Sequence, residues 1–365
     1  MIGIILLLLF IIIIIAGVYI LYTKYYIPVA SSIPTIGTNF QSSPSGPSNS
    51  NQIILSQQSI PQSIPQSMPQ SIPQSMSQSM PQSQASIITY SKKTISASGN
   101  GDKYDSVSDD GKYIMLYPFK YSTDSGITFN NIPGSSDRSQ NALQSAMTPN
   151  GQVQVSTKND NIYGNYYYST NYGQSWTSGP GVERYFACCV NDSGSIIIVT
   201  GDVNLYMSTN TGASWSKYPK SNFLGSPGLH TSWAVSNDGK YHLRTPYAGS
   251  AYFYASNDNM NSWRPFGSLD DSWSYHNCSM SSDGKYQVAN GTSISYISSD
   301  YGISWKSISN YLELFITRDG TKLFSSNNLS LDFGNTWINI PTLSFSSPSG
   351  NAKSIISGAN LYQIN

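Results

Sequence analysis

Three hydropathy regimes follow one another along the chain. Residues 1–22, MIGIILLLLFIIIIIAGVYILY, form an uninterrupted uncharged run. About 20 such residues cross a hydrocarbon core as a helix. The pattern predicts a transmembrane anchor over 1–23 rather than a secretory signal, whose shorter apolar core follows basic residues. Orientation stays open: Lys24 after the span favours a cytoplasmic side, whereas sequons at Asn191, Asn277, Asn290 and Asn328 suit an external domain.

The second regime, 24–85, has no core-forming pattern. Its centre, SIPQSIPQSMPQSIPQSMSQSMPQSQ from Ser59 to Gln84, repeats S-[IM]-P-Q nearly every fourth residue. Proline at that frequency forbids helix and interior strand. The expectation is a disordered or extended stalk, with a reach on the order of 80 Å if extended at about 3.1 Å per residue.

From residue 86 the pattern becomes that of short strands. Runs of β-branched, aromatic and long apolar residues, such as 112–117, 195–200 and 285–289, are bounded by Gly, Asn, Asp and Ser. No helical periodicity is sustained. Two turn motifs alternate with these runs. One is S-x-[DN]-x-G-x-[ST]-[WF], at STDSGITF (122), STNYGQSW (169), STNTGASW (208), SNDNMNSW (256), SSDYGISW (298) and SLDFGNTW (330). The other is an Asp-Gly-type turn, at SDDG (108), TPNG (148), NDSG (191), SNDG (236), SSDG (281), TRDG (317) and SPSG (347). A spacing of roughly 30 to 48 residues is that of a four-stranded propeller blade. The predicted fold is therefore all-β: a seven-bladed β-propeller over 86–365, preceded by the helix and linker. Each unit reads as strand, Asp-Gly turn, strand, loop, strand, S-x-D-x-G turn, strand. The last unit lacks a fourth strand, and residues 88–98 are expected to supply it, because closure removes an exposed edge. Met260 stands where five copies have Gly, which predicts a strained or differently formed turn.

The six S-x-D-x-G stretches resemble the Asp-box, or BNR, repeat of sialidases and sortilin-type receptors. The resemblance spans 104–340 and implies the propeller fold, with the boxes at blade rims away from any active pole. A sialidase would need an arginine triad, a tyrosine nucleophile paired with glutamate, and an aspartate acid/base. This chain has five arginines, Arg138, Arg184, Arg244, Arg264 and Arg318, and only Glu183 and Glu313 to partner a tyrosine. The nearest match to the F-R-I-P signature is Leu243-Arg244-Thr245-Pro246, in the fourth unit rather than ahead of the first box.

Charge and cysteine content narrow the classes further. A net charge of zero, from 19 basic and 19 acidic residues, gives no basic stripe for a polyanion, so nucleic acid is not an expected partner. Cys188, Cys189 and Cys278 show no metal spacing. Two readings stand: three buried thiols, or one bridge from Cys188 or Cys189 to Cys278. His230 and His276 have no third ligand spaced to join them, and no cofactor or metal is implied. The anchor, the stalk and the Ser, Asn, Ile and Tyr bias resemble envelope proteins of large DNA viruses. That implies a single-pass membrane protein with its propeller outside the cytoplasm or on a virion surface.

With both turn motifs at one pole, the opposite pole gathers the long, non-repeating loops. These carry Arg138, Tyr163, Glu183, Arg184, Tyr185, His230, Trp233, Tyr247, Asp270, Asp271, Trp273, Tyr275 and His276. Rigid aromatics beside acceptors suit stacking on sugar faces or an anchor-rich protein contact. The expected ligand site is Arg184, Tyr247, Asp270, Asp271, Trp273 and Tyr275. It would bind a glycan or protein partner without catalysis. The alternatives are a degenerate or unusual sialidase-like glycoside hydrolase, or a purely structural surface component.

Overall fold

A computed structural model of the chain describes residues 50–54, 87–96, 105–116, 119–133, 142–158, 164–219, 230–246, 252–267, 277–291, 293–309, 311, 313–340, 347–357 and 359–364. The apolar run 1–23 lies outside these residues. No helix among the described residues is long and apolar enough to cross a membrane.

Seven antiparallel sheets make up the described domain. The third of them is representative: Tyr185–Val190, Ile197–Gly201, Asn204–Ser208 and Ser216–Pro219 pair in chain order, each strand with the next. The first strands of blades one to six pack each on the next, the sixth blade meets the seventh where the Arg318 amide donates to the Gly350 carbonyl, and the first strand of the seventh, Ser347–Pro348, packs on Ser106–Val107 of the first, so the ring closes. Polar side chains tie these inner strands across blade boundaries. Ser106 Oγ lies 3.0 Å from Ser145 Oγ, and the Ile316 amide donates to Ser279 Oγ at 3.0 Å.

The seventh blade holds the ring together. Its third strand, Asn360–Ile364, pairs in register with Ile87–Thr94, from Tyr90 opposite Ile364 to Thr94 opposite Asn360. The early strand is thus the fourth of the last blade, as the unpaired 88–98 segment predicted. A fifth strand, Ser50–Ile54, pairs beyond it, from Ser50 opposite Ser91 to Ile54 opposite Ile87. Within 24–85, expected to be a disordered or extended stalk, residues 50–54 are therefore a strand: the segment NQII has the β-branched residues and the freedom from proline that a ladder requires.

Apolar burial is organised between blades rather than within one centre. Seven clusters of buried residues occupy the seven blade boundaries among the described residues. One joins Val288 and Ile297 of the fifth blade to Leu314, Ile316 and Leu323 of the sixth. Another joins Ile356 and Leu361 of the seventh to Val107, Ile114 and Leu116 of the first. A blade alone would leave both of its apolar faces in water, and the closed ring covers them.

The two turn motifs are hydrogen-bonding devices at one pole. In the Asp-Gly turn of the fifth blade, Ser281 Oγ donates to Asp283 Oδ1 at 2.6 Å and accepts from the Tyr286 amide at 2.9 Å, while Asp283 Oδ1 accepts from the Lys285 amide. In the following box, Ser298 Oγ donates to Asp300 Oδ1 at 2.7 Å and accepts from the Gly302 amide at 3.0 Å, and Asp300 accepts from the Ser304 amide and hydroxyl. Short polar side chains thereby satisfy the turn's own amides. In the first box, the hydrogen bonds from the Thr128 hydroxyl and amide lower the pKa of the Asp124 carboxyl to about 2. Met260 keeps the same turn as its glycine counterparts. Its amide donates to Ser256 Oγ at 3.1 Å, and its φ of 66° is left-handed, so the departure is strain without a change of turn.

The seventh Asp-Gly-type turn sits two residues later than its SPSG spelling implied. Ser349 Oγ accepts from the Ser354 amide at 3.1 Å, and Ala352, at φ 52°, occupies the place that glycine holds in the other six. The repeating unit is therefore SGNA, 349–352. Gly284 shows why glycine prevails there: its φ is 76°, and a Cβ would stand 2.4 Å from Cδ2 of Tyr241 in the preceding blade. Tyr241 in turn stacks on Tyr301 of the fifth blade's box at 4.9 Å.

Candidate functional site

The poles of the ring differ in how they are finished. At the turn pole, the second residues of successive Asp-Gly-type turns bond round the axis. The Asn237 amide donates to the Ser282 carbonyl, Ser282 to Arg318 and Arg318 to Gly350, each at 2.7 or 2.8 Å. Arg318 also reaches from the sixth blade to the third. Its Nη2 donates to the Val190 carbonyl at 2.9 Å, and its Nε pairs with Asp192 Oδ1 at 3.2 Å. Ser282 of the fifth blade donates its hydroxyl to the other oxygen of Asp192. Three blades are thus pinned together at this pole. Arg318→Ala should lower stability by about 2 kcal/mol, because it leaves a half-buried Asp192 without its cation and the Val190 carbonyl without that donor. A urea midpoint for the variant, compared with wild type, measures this.

At the loop pole, Arg184 is the member of the expected ligand site that lies within the described residues. Its side chain is 44% exposed; its Nε donates to Asp202 Oδ2 at 3.1 Å, and its guanidinium lies 5.9 Å from the Phe186 ring centre. Tyr247, Asp270, Asp271, Trp273 and Tyr275 lie outside the described residues, as do Arg138, Tyr163 and His276, and the His230 side chain. The sequence reading missed two neighbours of Arg184. Val182 and Val203 are 61% and 60% exposed at this pole. The Asp202 amide donates to the Arg184 carbonyl, and the Val203 amide to Glu183 Oε2, so the two segments lie side by side. A signal was available in GDVN, 201–204, where an apolar residue stands at a hairpin tip between strands.

Three residues expected on the loop surface are instead interior. Glu183 is buried, and its carboxylate accepts from the Val203 and Asn204 amides and from Asn204 Nδ2, so it organises the hairpin beside Arg184. Tyr185 is wholly buried against Tyr166, with ring centres 5.0 Å apart. Trp233 is buried against Trp263 and donates its Nε1 hydrogen to His242 Nδ1 at 3.2 Å. Both aromatics lie on the first strands of their blades, where the wedge between blades needs their volume.

The pieces of a hydrolytic site do not converge among the described residues. Arg244 is buried with its guanidinium 4.4 Å from the Tyr254 ring centre and 4.9 Å from that of Trp263. Arg318 belongs to the turn pole, and Arg264 follows a box tryptophan. Tyr206 lies beside Glu183, but burial, reinforced by that carboxylate, pushes its phenol up to about 12, opposite to the shift an activated nucleophile requires. Cys188, Cys189 and Cys278 are free thiols, which selects the unbridged reading, and burial raises each of them. No group of three His, Cys, Asp or Glu residues among those described is placed to hold a metal ion.

Comparison with known proteins adds fold but not family. No family model matches the chain, and no curated protein does. Among solved structures, the chain is similar to YCF48 bound to D1 peptide, at 14% identity over 75% of this chain and 96% of that one, with a TM-score of 0.52. It is also similar to the GH74 xyloglucanase from Xanthomonas campestris, at 11% identity over 74% of this chain and 52% of that one, with a TM-score of 0.50. Both likenesses are those of a β-propeller.

Proposed function

We propose that this chain is a recognition module, a membrane-anchored β-propeller that docks a protein segment on its loop pole through residues around Arg184 and the loop that carries Trp273 and Tyr275. The observation that carries the reading is the asymmetry of the poles. Exposed apolar side chains occur at both poles, but on the turn pole, which Arg318, Asp192 and Ser282 stitch, Ile127, Ile303 and Leu331 stand in boxes of separate blades, whereas the loop pole sets Val182 and Val203 of one blade beside the exposed Arg184 and Asp202 pair. Exposed β-branched side chains next to an accessible ion pair fit a polypeptide partner: apolar contact supplies affinity, and the charges set register. The solved propeller that holds a D1 peptide is a precedent for this fold serving as a peptide platform. The likeness of the S-x-D-x-G turns to the Asp box supports the propeller reading equally for receptors and for hydrolases, so it does not weigh between them.

The test is a binding screen of the purified chain against peptide and glycan arrays, followed by isotherms for the best ligand. Arg184→Ala, Trp273→Ala and Tyr275→Ala should each weaken binding by about 1–3 kcal/mol while the melting temperature stays within a few degrees of wild type. Unchanged affinity in all three, with a footprint mapped to the turn pole, would overturn the assignment. Preferential capture of glycans would favour the carbohydrate-binding alternative, and release of product from a glycoside panel would return the chain to the hydrolases.

A further inference from the structure

We propose that the outer edge of the seventh blade is a strand-docking site occupied in cis by Ser50–Ile54, and that this contact takes the Pro-Gln repeat out of the tether by holding Ile54 and Ile87, which flank it, side by side. The fourth strand of this blade is built differently from the others. The fourth strands of the first six blades are two to four residues long, whereas Ile87–Thr94 has eight. Asn360–Ile364 pairs with it only from Tyr90 onward. Ile87, Ile88 and Thr89 therefore extend past the blade's third strand, and their partners are Ile54, Ile53 and Gln52. An unpaired edge of that length invites another strand, and the other outer strands avoid the problem by being short.

The choice of occupant is legible in the linker. Between Pro28 and Pro81 the longest stretch without proline is 48–60, and Ser50–Ile54 lies inside it. Every S-[IM]-P-Q copy falls after this strand and before Ile87. Pairing of Ile54 with Ile87 fixes the two ends of 55–86 as neighbours, so the repeat adds nothing to the distance between the N-terminal apolar run and the propeller while the strand is seated. The tether is then 24–49. Release would add 50–86 to it, on the order of 100 Å of extra reach at about 3.1 Å per residue. Five paired residues set against the closure entropy of a long loop form a contact that can open and reseat without unfolding the ring.

The test uses the full chain. Gln52→Cys with Thr89→Cys places two thiols in register, and Gln52→Cys with Lys93→Cys places them four residues out of register. Under mild oxidation the first pair should give an intramolecular cross-link at least tenfold faster than the second, seen as a faster-migrating monomer on a non-reducing gel. Equal rates, or a cross-link found only between two chains, would overturn the proposal. As an independent measurement, Ile53→Pro removes one ladder amide and should speed hydrogen exchange at Ile87–Thr89 by tenfold or more, with amides of Asn360–Ile364 unaffected. Unaltered exchange at 87–89 would likewise sink it.

Discussion

Trp305→Ala is expected to destabilise the propeller by about 3 kcal/mol without a separate effect on ligand binding. The residue closes the fifth blade's box: its Nε1 donates to the Gly302 carbonyl at 3.2 Å, and its ring lies flat on Phe266 of the fourth blade, with centres 3.7 Å apart and planes 4° from parallel. It therefore couples a turn to the neighbouring blade. Because Trp305 is only partly buried, the loss falls at the low end for a tryptophan truncation. Trp305→Phe keeps the stack and gives up the hydrogen bond, and about 1 kcal/mol is the expected cost. Denaturant midpoints for the two variants separate the contributions. Unchanged stability in Trp305→Ala, accompanied by lost binding, would convert the box from scaffold to site.

Acidification should destabilise the fold in two distinct limbs, the upper of which belongs to His242. Burial pushes the imidazole down from its ordinary 6.5 to about 4, against the raising influence of the Gly239 carbonyl and the Asp238 and Asp258 carboxylates. Trp233 donates to Nδ1, so the neutral ring carries its proton on Nε2 and donates it to the Gly239 carbonyl at 2.8 Å. Between those two pKa values the unfolded chain binds the proton and the folded chain does not. The contribution is therefore complete above about pH 6.5 and is lost as pH falls through 4, roughly 3 kcal/mol in all. Depressed carboxyls such as Asp124 and Asp258 act lower, where Thr128 and Ser262 hold them ionised. His242→Gln supplies the decisive comparison. Gln154 and Gln287 occupy the same place in the second and fifth blades and donate to the carbonyls of Gly151 and Gly284 at 2.9 Å. The variant should fold, and its stability should be flat from pH 7 to 5 where wild type declines. Parallel decline in both would remove His242 from the account.

The turns were legible because their chemistry is local: a hydroxyl at one position serves an amide four or five residues on, so a spelling such as SSDG or SSDYG carries the geometry with it. Seven blades and the late use of Ile87–Thr94 followed from counting strands. The frame of the last turn was not legible. Gly350 offered the expected letter, but the left-handed position is held by Ala352, buried among Phe324, Leu329 and Ile355. Contacts between blades escaped for a related reason. Tyr286 meets Phe333 across a boundary, and nothing in KYQV indicates that its tyrosine faces a box in the next unit. The same blindness put Glu183, Tyr185 and Trp233 on the surface. Of the expected ligand site, Arg184 sits on the two-segment framework around Asp202, whereas the sequence of 268–276 has composition but no repeat that could have signalled a structure.

The pairing of Ile87–Thr94 with Asn360–Ile364 also fixes an order of events during synthesis. Ile87–Thr94 leaves the ribosome ahead of every strand of blades one to six yet has its place in the last blade, and its partner on the inner edge, Asn360–Ile364, emerges only after those six blades have been made. Blades one to six can condense as they appear, each against its predecessor, while the edge of the eight-residue strand that faces Asn360–Ile364 waits with its ladder unmet. Nascent chains halted before Asn360 would expose that strand together with the apolar flank of the first blade, two adhesive surfaces at once. Such chains are natural clients for a holdase. Closure is a single late step, in which Asn360–Ile364 captures Ile87–Thr94 and turns an open arc into a ring.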